Sequence, residues 1–194
     1  MSFVSMLYNA QLLKYAGADG VASYGVLMYL AFIFVAIFIG YSVGVTPIIS
    51  YQYGAKNIVE LKNVLRKSFA IIGCFSLLML FTSFVLARPL ATLFVGYDEN
   101  LFTMTLHAFK IFSFVFLFAG FSIFGSAFFT ALNNGLISAI ISFLRTIVFE
   151  IVAVLIFPLI WGLDGIWFSI VGADIMAVIM VALFMIFEKK RYGY

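Results

Sequence analysis

Three ionisable side chains stand inside long apolar runs: Arg145 and Glu150 within residues 136–161, and Asp174 within residues 166–187. A charge at the centre of a spanning helix costs roughly 3 kcal/mol on insertion scales, so each must face protein or a water-filled cavity. One cation against two carboxylates leaves a potential surplus of negative charge. A site for a proton, Na⁺ or an organic cation requires such a surplus. Glu150 is the candidate for that site, and Arg145 and Asp174 are candidates for an ion pair. The competing reading is that the three neutralise one another and only tie two helices together. Asn9 and Gln11, in the apolar stretch 2–13, either line a cavity or pack at a helix interface.

Depth follows from the helical rise. Arg145 lies nine residues from Leu136 and Asp174 nine from Gly165, about 14 Å in from opposite ends at 1.5 Å per residue. In a core about 30 Å thick both approach the midplane. The turn between the two runs, 162–165, is too short for anything but antiparallel neighbours, so an Arg145 to Asp174 pair is predicted. Glu150, five residues from Arg145, falls further out and on a different part of the helix face.

Other side chains offer less. His107 reads as a surface histidine near an interface, and the single cysteine, Cys74, as a buried packing thiol that permits no intrachain disulfide. Tyr41, Tyr51 and Tyr53 suit an aromatic belt. The 25 Phe and 8 Met either line an adaptable apolar cavity or face lipid and neighbouring helices. No nucleophile paired with a base, phosphate loop or metal-ligand spacing is present, so neither an enzyme nor a cofactor is expected.

The elements that position these residues are spanning helices. The chain is 65% hydrophobic and 10% charged, with a mean hydropathy of +1.20, whereas soluble domains are about 25% charged. A bilayer crossing needs about 20 apolar residues, and runs at 26–50, 69–87, 111–132, 136–161 and 166–187 qualify. Residues 2–13 form a partial span without the basic start and small-residue cleavage site of a secretory leader. The runs are continuously apolar and do not alternate, which argues against a β-barrel. Pro47 is expected to end or kink the first complete span and Arg88–Pro89 to stop the second. Residues 90–110 read as an outer loop with a short interfacial helix. In 120–131, GFSIFGSAFFTA, the small residues Gly120, Gly125, Ser126 and Ala127 allow close helix approach. Asn133, Asn134 and Gly135 suit a tight turn.

Residues 46–68 are the one long polar interruption. Asn57 suits an N-cap with Glu60 three residues on, and Ile58, Leu61, Val64 and Leu65 recur on one face, which predicts a short amphipathic helix lying on the membrane surface. Seven of the eleven Lys and Arg (Lys56, Lys62, Arg66, Lys67, Lys189, Lys190, Arg191) fall on the side this loop marks as cytoplasmic; Lys14, Arg88 and Lys110 fall opposite. The bias predicts a cytoplasmic C-terminus. The cations gather at the ends of apolar runs, so nucleic acid is not implied as a partner.

Three blocks, PIISYQYGAKN with LKNVLRKS, FFTALNNGLISAIISFLRTIVFE, and PLIWGLDGIWFSIVGAD, resemble the C-terminal half of a bacterial multidrug and toxic compound extrusion (MATE) transporter over essentially the whole chain. The resemblance implies an all-α polytopic bundle, one lobe comprising the end of helix 7 plus helices 8 to 12, with the N-terminal lobe absent. It also implies a multi-pass protein of the bacterial plasma membrane that exports cationic drugs in exchange for Na⁺ or H⁺, with a missing lobe or second half-transporter as partner. The family's acidic residues on helices seven and ten have no counterpart in 2–13 or 111–132, which leaves Glu150 and Asp174 as this lobe's coupling candidates, beside Arg145 and Asn9. A lipid-linked oligosaccharide flippase of the wider superfamily, or a non-transporting membrane fragment, are the alternative functions.

Overall fold

A computed structural model describes residues 3–194; Ser2, the start of the expected partial span, lies outside the described residues. The described residues fold as α1 (Phe3–Gly54), α2 (Ile58–Val95), α3 (Glu99–Phe112), α4 (Val115–Ala131), α5 (Gly135–Phe143), a π-helical segment (Leu144–Phe149) and α6 (Glu150–Tyr192), without strands among them. With no water in a bilayer core to satisfy backbone groups, helices that bond internally are the expected outcome.

Two of these helices are too long for one crossing. At 1.5 Å per residue the 52 residues of α1 would extend about 78 Å. The chain instead breaks at Gly17 (φ 65°, ψ −151°), and the continuous stretch Gly135–Tyr192 breaks at Gly162 (φ 59°, ψ −132°). Positive φ is open to glycine because it has no Cβ to clash. Both breaks fold the chain back on itself: Tyr8 stacks on Tyr24 with ring centroids 5.3 Å apart across the first, and Arg145 meets Asp174 across the second. A further crossing is bent, since α3 and α4 meet at 47°. The result is one partial limb (3–16) and five complete ones, as the apolar runs predict.

Several boundaries differ from those predicted. α1 runs through Pro47, and α2 through Pro89 to Val95. Each proline removes the N–H that would bond the carbonyl four residues earlier, Val43 for Pro47 and Val85 for Pro89, and membrane helices tolerate that loss. The Thr46 and Thr92 hydroxyls back-bond to other carbonyls, of Ser42 (2.7 Å) and Arg88 (2.9 Å), and do not replace the missing bonds. The turns beyond Pro89 also bury Ala91 and Val95 against Leu101 and Val26. Residues 99–112 are therefore the first half of the bent crossing and not an interfacial helix. The expected surface helix at 58–67 is the opening of α2 itself. Its N-cap is Asn57, whose side chain accepts from the Glu60 N–H. Cys74 is exposed, because the buried stripe of α2 runs through Ile72, Ser76, Met79 and Ser83 and Cys74 lies off it.

The predicted Asn133–Asn134 turn is present, with Asn133 at φ 59° and Asn134 capping α5 through the Ile137 N–H. This turn and both basic clusters share one end of the bundle. Asn134 donates to the Tyr192 hydroxyl (2.8 Å), Tyr53 packs edge-on to Tyr192, and Gly193 lies against Ile58. At the other end His107 meets Asp164 at 2.9 Å.

The core centres on α4, which packs against α1, α2, α5 and α6. Phe116, Phe124, Phe128 and Phe129 are fully buried there. Close approach depends on glycine: a Cβ at Gly120 would stand 2.6 Å from the Phe38 ring, and one at Gly125 would stand 2.3 Å from Val181 Cγ1. Gly125→Val is therefore expected to destabilise the bundle by about 1–3 kcal/mol, the usual range for overpacking. Thermal unfolding in detergent would register the loss, and Val181→Ala should recover part of it in the double variant.

Candidate functional site

The limb 135–161 is not a regular α-helix. Between Leu144 and Phe149 it is π-helical, with i→i+5 hydrogen bonding of a kind that recurs at functional sites. In an α-helix, residues five apart point about 140° apart, which is why Arg145 and Glu150 were assigned to different faces. A π turn brings residues five apart more nearly into line. Glu150 accordingly lies within electrostatic reach of both Arg145 and Asp174.

The predicted ion pair forms. Arg145 Nε donates to Asp174 Oδ1 at 3.1 Å, with the side chains 22% and 10% exposed. Asp174 sits among the buried stripe of the 163–192 limb, and pairing satisfies a charge that would otherwise be stranded in hydrocarbon. Glu150 is placed differently, on a groove of about 550 Å³ lined by Ser5, Tyr24, Met28 and Thr146. Asn9 is not beside the ion pair. It lines an adjoining groove of about 460 Å³ that shares Ser5, Tyr24 and Met28 with the first. Tyr8 and Tyr24 also lie within electrostatic reach of Glu150, and the Tyr8 hydroxyl is 3.1 Å from that of Ser169. The four candidates thus divide into a closed pair, Arg145 and Asp174, and two open positions, Glu150 and Asn9.

A polar seam between α4 and α5 was not predicted. Thr130 Oγ1 is 2.6 Å from Ser138 Oγ, Ser138 Oγ is 2.9 Å from Ser126 Oγ, and Ser126 Oγ is 2.8 Å from Ser142 Oγ. The signal was available in the i, i+4 spacing of 126/130 and of 138/142/146, which places each set on one helical face. Beyond Ser142 lies a cavity of about 120 Å³ lined by Ser122, Ser126, Ser142, Arg145 and Thr146. Among the described residues no cluster of three or more His, Cys, Asp or Glu is arranged to hold a metal ion.

The sequence model of the MatE family matches residues 1–156. Among solved structures, the chain is similar to an outward-facing multidrug resistance MATE family transporter of the MOP superfamily. Identity is 20% and the TM-score 0.90, covering 98% of this chain and 43% of that one. It is similar also to a MOP superfamily transporter from Pyrococcus furiosus, described as having a binding pocket of reverse polarity that suggests a different function (21%, TM-score 0.90, 100% and 44%). A third is the bent form of the Vibrio cholerae MATE transporter VcmN (20%, TM-score 0.83, 93% and 41%). The chain therefore spans less than half the length of each. A comparison with curated proteins returns no match.

Removing one partner of the ion pair should be far more damaging than removing both. Arg145→Met strands the Asp174 carboxylate and is expected to lower stability by about 3–5 kcal/mol. Arg145→Met with Asp174→Leu should recover most of it. Thermal unfolding of the wild type, single and double variants in one detergent measures the difference, and equal losses in both variants would contradict an ion-pair role.

Proposed function

Because the chain belongs to the MatE family, we propose that it supplies one lobe of a cation-coupled antiporter that exports multiple drugs or toxic organic cations. The coupling ion is H⁺ or Na⁺, and the exported cation and coupling ion exchange at Glu150. The observation that carries this reading is the division of the charged triad. Arg145 is engaged by Asp174 at 3.1 Å, and the second carboxylate, Glu150, opens on a groove rimmed by Tyr24 and Met28. An intramembrane carboxylate at a cavity is where a cation or proton gains most from binding, and an aromatic ring with a soft thioether accommodates varied organic cations.

A single lobe cannot enclose a central cavity, so the working unit pairs it with a second lobe, an N-terminal half or another half-transporter. The membrane is the bacterial plasma membrane, and the shared basic end faces the cytosol in accord with the bias of Lys and Arg. The groove's charge also bears on substrate. A lipid-linked oligosaccharide carries anionic phosphate and would call for free cations, whereas Arg145 is already paired. This favours cationic cargo over a flippase.

In the two-lobe transporter, Glu150→Gln keeps the shape and removes the charge. It is expected to reduce ion-driven efflux of a cationic dye at least tenfold while leaving expression and thermal stability within error; undiminished efflux would remove Glu150 from the mechanism. For orientation, Lys62→Cys and Lys190→Cys, each in a Cys74→Ala background, should resist an impermeant thiol reagent in intact cells and react after permeabilisation.

A further inference from the structure

We propose that the seam between α4 and α5 is a wetted route by which protons pass from the basic end of the bundle to Glu150. The inference rests on Glu150 as the exchanging carboxylate and goes further by naming the proton as the ion and giving its path.

The path is a file of touching hydroxyls as far as Ser142, followed by a cavity. It begins at Thr130, three residues before the Asn133 turn at the basic end, and passes through Ser138 and Ser126 to Ser142 by contacts of 2.6, 2.9 and 2.8 Å. From Ser142 it enters the cavity of about 120 Å³ that Arg145 and Thr146 also line. That volume holds a few waters at roughly 30 Å³ each, with four hydroxyls and a guanidinium as partners. Thr146 lines this cavity and the Glu150 groove alike, so one side chain separates the two spaces and its hydroxyl can serve both.

A hydroxyl both donates and accepts. A proton arriving at Thr130 can therefore displace the next along the file, each oxygen taking one proton and passing another, until the last reaches the Glu150 carboxylate. The hydroxyls then rotate back. Hydroxyls within hydrogen-bond contact leave no room for an ion between them, so Na⁺ cannot use this file whereas a proton needs only rotation. Packing alone explains less. Thr130 and Thr146 can each back-bond to a carbonyl of their own helix, and Ser126 can donate to the Ser138 carbonyl at 3.2 Å, but Ser126 also meets two hydroxyls of the facing helix and so links the file. The charged and titratable groups around the end of the path are Arg145, Asp174, Tyr8 and Tyr24.

The test uses the full chain in vesicles in a Cys74→Ala background. The thiols of Ser126→Cys and Ser142→Cys should each exchange S–H for S–D in D₂O, read from the infrared S–H stretch, at least tenfold faster than that of Ile179→Cys, an exposed position on the apolar surface. At a pH low enough to protonate Glu150, its infrared carboxyl band is identified by its loss in Glu150→Gln. Exchange of that band into D₂O should slow at least tenfold in Ser126→Val with Ser142→Val. Thiols that exchange no faster than that of Ile179→Cys, or exchange at Glu150 unaltered by the valines, would make the seam a dry packing contact. Neither result depends on efflux, so failure of this route is distinct from failure of Glu150 as the exchange site.

Discussion

A bilayer core offers no water to a polar group, and this single constraint accounts for most of the architecture. It dictates helices for the whole span. It makes glycine the natural residue at 17 and 162, where the chain must reverse between limbs, each at positive φ. It also explains why buried hydroxyls such as Ser23 with Thr105 at 2.9 Å and Ser83 with Ser113 at 2.7 Å meet one another, since an unpaired one bears the full cost of desolvation, as the buried hydroxyls of Ser42 and Ser76 do. Arg145 and Asp174 are the same solution at higher stakes. They hold the last two limbs in register because any slip would separate two charges in hydrocarbon.

What drives the limbs together is different from what keeps them polar-satisfied. Lipid tails are as apolar as phenylalanine, so association depends on close contact and not on hydrophobic burial. Gly120 and Gly125 supply that contact at two points of α4, one against α1 and α2 and the other against α6. The large aromatic side chains of α4 then fill the space between contacts.

Much of this was legible in the sequence. Apolar run length gave the number of crossings, and the bias of the cations placed both basic clusters at one end, which the Tyr53–Tyr192 and Asn134–Tyr192 contacts bear out. Counting depth at 1.5 Å per residue found the Arg145–Asp174 pair. Proline was over-read: at 47 it was expected to end or kink the helix and at 89 to stop it, but both helices run on, and beyond Pro89 the burial of Ala91 and Val95 offsets the cost. Glu150 was expected on a different part of the helix face from Arg145, and it lines a groove of its own. No sequence signal for the π segment at 144–149 was recognised, and one extra residue in a turn rotates everything after it. The hydroxyl seam was overlooked for another reason. Serine and threonine carry no charge and do not stand out in an apolar run, although their i, i+4 spacing was plain.

The π segment ties these threads together. It begins one residue before Arg145 and ends one before Glu150, so the irregular turn is bounded by the two charges it aligns. The wider turn lets one arginine hold a structural partner while remaining within electrostatic reach of a second carboxylate. A change in charge at Glu150 is then felt by the pair that joins the last two limbs. In this lobe the carboxylate proposed as the exchange site and the contact that joins the last two limbs are separated by about one turn, so a change of charge at the first acts at short range on the second.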